Sequence, residues 1–249
     1  LCISNINYQE DKASWDVTAT ALPLGLWANE LAPTVVSSPS EATLTVKTKG
    51  SYSAKDPIDA TFTASMTSAA WQLGETRPLS LTINSIETKG NIKQGQLEST
   101  SLISSQDIGD ATLSLNTRPF DERIPLDGKL VMEGLNVAPF KPLSPAIRTL
   151  TGLLNGNITL SGYIDDPALN GELTVSNGAI DIQDTPVSLA DWNQKVTLNN
   201  QTATLDGTFV LGGGEGALTG ELDWSSKPSA NFNLKGNSFE IRQPNVRLR

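Results

Sequence analysis

Histidine is absent from this sequence of 249 residues, and cysteine occurs once, at Cys2. The side chain most often used as a general base or metal ligand is therefore missing. Zinc sites built from cysteine and histidine are excluded for the same reason. With one cysteine, no internal disulfide can form. These absences predict a protein that is not an enzyme and holds neither a metal nor a cofactor.

Positive charge is also scarce, with 18 Lys and Arg against 27 Asp and Glu and a net charge of −9. This balance argues against a nucleic-acid partner, which needs clustered cations, and against docking on an anionic membrane by charge alone. No apolar run approaches the roughly 18 residues of a membrane-spanning helix. The chain begins Leu1-Cys2-Ile3 without an initiator Met, so we expect a fragment of a longer protein.

What the sequence does have is an alternation of apolar and polar residues with a period of two, typical of strands with one apolar face. It predicts an all-β fold of roughly 13–16 strands, joined mostly by short turns into a largely antiparallel meander. In the second half, the apolar positions predicted to line one face are Ile158, Leu160, Ile164, Leu169, Leu173, Val175, Ile180, Ile182, Val196, Leu198, Leu205, Phe209, Leu211, Leu218, Leu222, Trp224, Phe232, Leu234, Phe239 and Ile241.

Turn signals separate these runs. Asn177-Gly178 between alternating segments is the strongest short signal for a hairpin, and Asp165-Asp166-Pro167 is a turn by composition. Gly212-Gly213-Gly214 superficially suggests a phosphate loop, but no Gly-Lys-Ser/Thr follows it. We interpret it as the tip of a hairpin.

Two segments suggest short helices. Ser144-Pro145 is typical of an N-cap followed by proline, which predicts a helix over 146–151 that stops at Gly152. A weaker signal runs from Pro23 to Leu31. Two such short helices cannot cover both faces of a sheet, so an α/β architecture is not expected.

Several glycines share the parity of the apolar residues, among them Gly171, Gly207, Gly220 and Gly236. Glycine inside a strand marks sharp bending or close approach of another group. Two interpretations remain open. The glycines could let the sheet curl tightly around a narrow interior, or they could make room for large neighbours such as Trp224.

Over residues 152–249 several motifs follow one another in a specific order. They are Gly152-Leu153-Leu154-Asn155-Gly156-Asn157-Ile158, Pro167-x-Leu169-x-Gly171-x-Leu173, Asn177-Gly178-Ala179-Ile180, Val187-Ser188-Leu189, Gly212-Gly213-Gly214-Glu215-Gly216 through Trp224, and Leu234-Lys235-Gly236-Asn237. Their order and spacing resemble the conserved C-terminal domain of the TamB family. The earlier part resembles the preceding repeats of that family, which predicts a β-repeat region over 1–143 and a C-terminal β-domain over 144–249, within one continuous sheet.

The resemblance implies more than the residues show. Members of this family are anchored in the inner membrane by an N-terminal helix, lie in the periplasm of Gram-negative bacteria and work with TamA, an outer-membrane protein of the barrel-assembly type. Their expected fold is an elongated, curved sheet folded into a U-shaped trough, the β-taco of AsmA-like lipid-transfer proteins. TamA is expected to dock near the family's extreme C-terminus, beyond Arg249.

Two functions follow from the resemblance. The first is a hydrophobic groove that moves phospholipid to the outer membrane, with phospholipid or detergent as its ligand. The alternative is a chaperone-like scaffold for unfolded strands of autotransporters and other outer-membrane barrels. A long open apolar face would exceed the patches usual on monomers, and acyl chains would suit it. A closed β-sandwich core and a passive spacer remain the competing interpretations.

Overall fold

The computed structural model describes residues 2–9, 11–23, 36–37, 42–54, 58–73, 79–183, 188–225 and 227–239. Within these ranges it contains a 16-stranded sheet and one short 3-10 helix, η1. The prediction of an all-β protein with very little helix is therefore confirmed. The strands are β1 Cys2–Gln9, β2 Lys12–Pro23, β3 Val36–Ser37, β4 Thr43–Ser53, β5 Asp59–Met66, β6 Ala69–Leu73, β7 Leu79–Lys93, β8 Gln96–Ser105, β9 Gly109–Thr117, β10 Leu126–Asn136, β11 Ile147–Tyr163, β12 Asp166–Ile182, β13 Ser188–Asn200, β14 Thr202–Leu211, β15 Gly214–Asp223 and β16 Ser229–Gly236.

The strands hydrogen-bond almost entirely in chain order. The path is β1-β2-β4-β5-β7-β8-β9-β10-β11-β12-β13-β14-β15-β16, and β6 pairs with both β3 and β7 beside it. The pairs with a described register are all antiparallel, for example β1 with β2, β7 with β8 and β14 with β15. Antiparallel neighbours need only short connections, and the predicted meander is confirmed.

The chain divides into two compact units. Unit 1 comprises Leu1–Val131 and Thr159–Pro167, and unit 2 comprises Met132–Ile158 and Ala168–Arg249. In unit 1 the buried apolar side chains include Ala60, Met66, Leu79 and Leu81. In unit 2 they are Leu135, Val137, Ile158, Leu198, Ala203 and Phe209. The predicted boundary between residues 143 and 144 stays a prediction.

The helix predicted over 146–151 is wrong. Those residues lie at and just after a turn in which the Ile147 amide donates to the Ser144 carbonyl at 3.2 Å, and β11 begins at Ile147. The β-branched residues Ile147, Thr149 and Thr151 suit a paired strand better than two helical turns. The helix is instead η1, Ala138–Leu143. Of the other predicted helix, Pro23 ends β2, and 24–31 lie outside the described residues.

The hairpin predicted at Asn177-Gly178 is also wrong. Strand β12 runs through both residues, and its pairing with β13 shifts register between Val175 and Gly178. Asn177 has a positive φ of 53°, and its amide donates to Oδ1 of Asn193 on β13 at 3.3 Å. The dipeptide therefore forms a β-bulge and not a turn. Asn tolerates the positive φ that either structure can require.

The turn predicted at Asp165-Asp166-Pro167 lies earlier, at Ile164 and Asp165, because β12 already begins at Asp166. The hairpin tip predicted at Gly212-Gly213-Gly214 is confirmed at Gly212-Gly213, and β15 begins at Gly214.

Candidate functional site

The apolar side chains of unit 2 form transverse rows that cross strands β12 to β16. Residues directly opposite each other in an antiparallel pair lie on one face, side by side. We call the face that carries these rows the unit-2 apolar face. Row 1 is Gly171, Leu198, Ala203, Leu222 and Ala230; row 2 is Leu173, Val196, Leu205, Gly220 and Phe232; row 3 is Val175, Gln194, Gly207, Leu218 and Leu234; row 4 is Phe209, Gly216 and Gly236; row 5 is Ile180, Leu189 and Leu211.

The bulges keep rows 3 and 5 on this one face. Beyond the bulge at Asn177, the apolar positions of β12 change from odd to even numbers, from Val175 to Ile180. Strand β13 changes parity in the same region, where Asp191 has a positive φ of 48°. One inserted residue reverses which side the following residues face. The paired bulges therefore keep the apolar side chains of β12 and β13 on one face where the alternation of the sequence is broken.

Large side chains fill the space that glycines leave on the unit-2 apolar face. A Cβ atom on Gly216 would overlap the ring of Phe209, and one on Gly220 would lie 2.8 Å from Cδ1 of Phe232. Phe239 stacks on Phe209 with ring centroids 5.9 Å apart. Of the two interpretations of the in-register glycines, these contacts support room for large neighbours.

Exposure increases along the rows toward β16. Leu198 and Phe209, on β13 and β14, are buried, Phe209 with only 4% of its surface accessible. On β16, by contrast, Phe232 is 60% and Leu234 63% exposed. The unit-2 apolar face is therefore packed at its middle strands and open to solvent at β16.

Of the 20 positions predicted from the alternation, Leu160 and Ile164 belong to unit 1, and Ile241 lies outside the described residues. Ile158 is buried with Leu198 and Phe209, and Ile164, Trp224, Phe232 and Leu234 are exposed. Whether these positions line a lipid groove stays a prediction. The half-buried ones are Leu160, Leu169, Leu173, Val175, Ile180, Ile182, Val196, Leu205, Leu211, Leu218, Leu222 and Phe239.

The prediction omitted Gln194, a polar residue at an apolar position of β13. It stands in row 3 between Val175 and Gly207 and is only 5% exposed. Its Nε2 donates to the carbonyl of Lys195 at 3.1 Å, whereas its Oε1 is buried and has no hydrogen-bond partner among the described residues. One sequence signal could have revealed Gln194. It alternates in step with the apolar residues Val196 and Leu198 of the same strand, and therefore faces the same side.

In unit 1, the face that carries Phe62 also carries hydroxyl groups. We call it the unit-1 apolar face. Phe62 opposes Thr48 on β4 and Gly90 on β7, and Thr88 opposes Ser101 on β8. The side-chain oxygens of Thr88 and Ser101 lie 2.9 Å apart. These hydroxyls therefore find partners within the sheet.

One of the cavities of unit 1, with a volume of about 690 Å³, crosses strands β5 to β11. Most of its lining side chains come from the polar positions of the alternation, including Thr61, Asn91, Glu98 and Asn116, which oppose one another across four strands. Hydroxyl, amide and charged side chains make up most of the residues in this lining.

Ion pairs in the described part of the chain are exposed. Lys195 Nζ lies 2.5 Å from Glu172 Oε1, and Lys49 lies 3.5 Å from Asp16, with at least 48% of each side chain accessible. Such pairs contribute little to stability. Among the described residues, no three His, Cys, Asp or Glu side chains come together as metal ligands. No helix in the same ranges is long and apolar enough to cross a membrane.

Comparison with known proteins identifies related sequences. The family model described as "TamB, N-terminal domain" matches residues 1–175, well over half of the chain. The chain is 24% identical, over 123 residues, to the translocation and assembly module subunit TamB of Haemophilus influenzae. That alignment covers 49% of this chain and 10% of the relative, so the chain spans about a tenth of that protein's length. No solved structure matches. The match falls on the family's N-terminal domain, and the resemblance of 152–249 to the C-terminal domain is not shown by it. The chain belongs to the TamB family.

Proposed function

We propose that this chain is a periplasmic segment of a bridge between the inner and outer membranes, and that its apolar face carries the acyl chains of phospholipid. The observation that carries the proposal is the set of apolar rows on unit 2, which remains open at Phe232 and Leu234. Five strands span roughly 19 Å across, at about 4.8 Å per strand. The exposed end of these rows, on β16, is an apolar patch of the kind that marks ligand or interaction sites.

Family membership supports the rest of the proposal. The Haemophilus relative is named as a subunit of a translocation and assembly module. By analogy, this chain would act in such a module with TamA, an outer-membrane partner, in a Gram-negative bacterium. The full-length protein would be held in the inner membrane by a helix outside this segment. No enzymatic activity is part of the proposal.

Lipid retention tests the proposal. Protein purified gently is expected to carry phospholipid or detergent detectable by mass spectrometry, and Phe232→Asp is expected to lose most of it. A carboxylate among acyl chains is strongly unfavourable, whereas at this exposed position it does not disrupt folding. Asn233→Asp is the matched control, because it introduces the same charge next door on the opposite face of β16.

Equal lipid content in both variants would contradict the proposal, as would its absence from the unmodified protein. Leu205→Asp provides a second check. Leu205 is half-buried in row 2, so a charge there is expected to lower stability as well as lipid content.

The exposed strand β16 favours one other function, the chaperone-like scaffold. All eight of its residues are exposed, and it is the last strand in the described pairing order. An edge strand can pair with an extended client polypeptide. A photo-activated cross-linker at Asn231 would form adducts with polypeptide if this function holds. Adducts with lipid alone, from a cross-linker at Phe232, would favour transport.

A further inference from the structure

A continuous row of polar side chains crosses unit 1 on the face opposite the unit-1 apolar face. Directly opposed residues of antiparallel strands lie side by side on one face. Followed from β1 to β9, the row is Asn5, Asp16, Lys49, Thr61, Asn91, Glu98 and Asn116. Seven neighbouring strands contribute one residue each, so the row spans roughly 29 Å at about 4.8 Å per strand. Every member carries a group that can form hydrogen bonds.

The row lies along adjoining cavities. Its first four members line a cavity of about 590 Å³, and its last four line the cavity of about 690 Å³. Thr61 belongs to both linings, so the two cavities meet at β5. A third cavity, of about 520 Å³, shares Asn7, Ser14, Ser51 and Asp59 with the first. We call these three cavities together the polar trough.

The charges that line the polar trough cancel. Four lysines and four carboxylates face it, although the whole chain carries a net charge of −9. The lysines are Lys12, Lys49, Lys89 and Lys129, and the carboxylates belong to Asp16, Asp59, Glu98 and Asp127. A polyanion such as a nucleic acid needs an excess of cations, and an acyl chain needs an apolar lining. The balance therefore favours a ligand that is polar and uncharged.

Amide and hydroxyl groups make up most of the remaining lining. A side-chain amide or hydroxyl can both donate and accept hydrogen bonds. The hydroxyl group of a sugar does the same, so such groups can pair in either direction. Thr61 and Glu98 are exposed, and Asn91 and Asn116 are half-buried, so the row is open to a ligand. The lining therefore has the chemistry that recognises a polyol.

The position of the polar trough disfavours a polypeptide. An extended peptide adds a strand at the edge of a sheet. The polar trough instead crosses strands β2 to β9, each of which is already paired on both sides. A linear glycan needs no edge, because its hydroxyl groups recur along its length and can meet successive strands. Sheet faces do serve this purpose, as in OB-folds that bind oligosaccharides.

We propose that the polar trough is a binding site for a linear, uncharged glycan that lies across the strands of unit 1. The exposed ring of Tyr52, in the third cavity, adds a surface for the apolar side of a sugar. This site does not depend on the proposed lipid function, which rests on the unit-2 apolar face. Phe232→Asp, which is expected to lose lipid, should therefore bind the glycan unchanged.

Two linear uncharged hexasaccharides, chitohexaose and cellohexaose, serve as probes, and isothermal titration calorimetry on the whole chain measures their affinities. At least one should bind about tenfold or more tightly than its monosaccharide, because several sugars engage the row together. Asn91→Ala should weaken that binding by about threefold to tenfold, the value of one neutral hydrogen bond. Asn231→Ala makes the same change at an exposed position of β16, outside the polar trough, and should have no effect.

A second variant blocks the polar trough where its two larger cavities meet. Thr61→Trp places a bulky ring there and should remove measurable binding. Thr61 is exposed on a strand, where tryptophan is well tolerated, so the fold should be kept. Ser65→Trp is the matched control, because Ser65 is exposed on the same face of β5 but lines none of the three cavities.

Each result decides the question. Failure of both hexasaccharides to bind overturns the proposal, and so does binding that Thr61→Trp and Asn91→Ala leave unchanged. An uncharged glycine–serine peptide that binds as tightly would assign the polar trough to polypeptide and would also overturn it. If circular dichroism shows that Thr61→Trp does not fold, Asn91→Ala against Asn231→Ala provides the test. Lipid content, measured on the same preparations, reports separately on the proposed function.

Discussion

The two units treat polar atoms on their apolar faces differently. In unit 1, hydroxyl groups pair across strands, as Thr88 does with Ser101, and Trp15 donates from Nε1 to Thr48 Oγ1 at 3.1 Å. Unit 2 has glycines under aromatic rings, and its Gln194 side-chain oxygen has no hydrogen-bond partner among the described residues. In unit 1 the ring N–H of Trp71, beside Leu81, also lacks a partner within those residues. The comparison indicates a partly hydrogen-bonded face in unit 1 and a more purely packed one in unit 2.

The largest expected effect tests how much of unit 2 is packed. Phe209→Ala removes a buried ring from between Gly216 and Phe239, and should lower the free energy of unfolding by about 3–5 kcal/mol. Phe232→Ala, on the open part of the same face, should change it by only about 0.5 kcal/mol. Urea denaturation of both variants measures the difference. Equal losses would mean that the face is packed uniformly.

The glycine contacts give the next effect in size. Gly216→Ala and Gly90→Ala each place a methyl group against a phenylalanine ring, at an expected cost of about 1–3 kcal/mol. The Gly90 variant should cost more, because its Cβ would also lie 2.6 Å from the carbonyl oxygen of Glu98. A ring can turn aside, whereas a backbone carbonyl in a β-ladder cannot move without disturbing the pairing.

A double-mutant cycle separates the overlap with a phenylalanine ring from the overlap with a backbone carbonyl. Phe209→Leu should restore part of the stability lost in Gly216→Ala, since the three nearest atoms there all belong to the ring. Phe62→Leu should restore less in Gly90→Ala, where the Glu98 carbonyl remains. Equal coupling energies in the two units, measured by urea denaturation, would contradict this account.

The sequence predicted the fold better than the details of single strands. Seven of the twelve strand pairs with a described register keep the period of two without a shift, because one-residue slips would expose the apolar set. The bulge at Asn177 could not be predicted, since Asn-Gly suits a tight turn and a bulge alike and only the continued pairing of β12 with β13 decides. At Ile147, strand pairing prevailed over the local helix signal of Ser144-Pro145.

The candidate site shows the same limit. Leu205 and Phe232 lie in one row of the unit-2 apolar face, and parity alone sets the side of a strand; their place in a lipid groove stays a prediction. The alternation could not predict that one is half-buried and the other exposed, which depends on neighbouring strands. Gln194 was passed over because a search for apolar residues does not register a polar one at an apolar position.

A smaller effect tests the paired hydroxyls of unit 1. Thr88→Val keeps the shape of the side chain but leaves the Ser101 hydroxyl without its partner at 2.9 Å, which should cost about 1 kcal/mol. Adding Ser101→Ala should recover much of that loss, because both polar groups are then gone. Thermal or urea unfolding measures the three variants. Strict additivity would show that the two hydroxyls do not depend on each other.

The smallest expected effect on stability concerns a hydrogen bond to a carboxylate at which water can replace the donor. The side-chain hydroxyl of Ser225, and then its backbone N–H at 2.8 Å, lower the pKa of the carboxyl of Asp223, which ends β15 at a half-buried turn. A lowered pKa means that these bonds favour the folded protein above the ordinary carboxyl range and are lost as pH falls through the folded pKa. Ser225→Ala should raise the pKa of Asp223 toward its usual value, as measured by NMR titration, with unfolding at neutral pH almost unchanged. A pKa unaffected by this substitution would assign the shift to the backbone donor alone. Because solvent can replace the hydroxyl here, the same kind of hydrogen bond is expected to matter far less in this turn than between Thr88 and Ser101 on an apolar face.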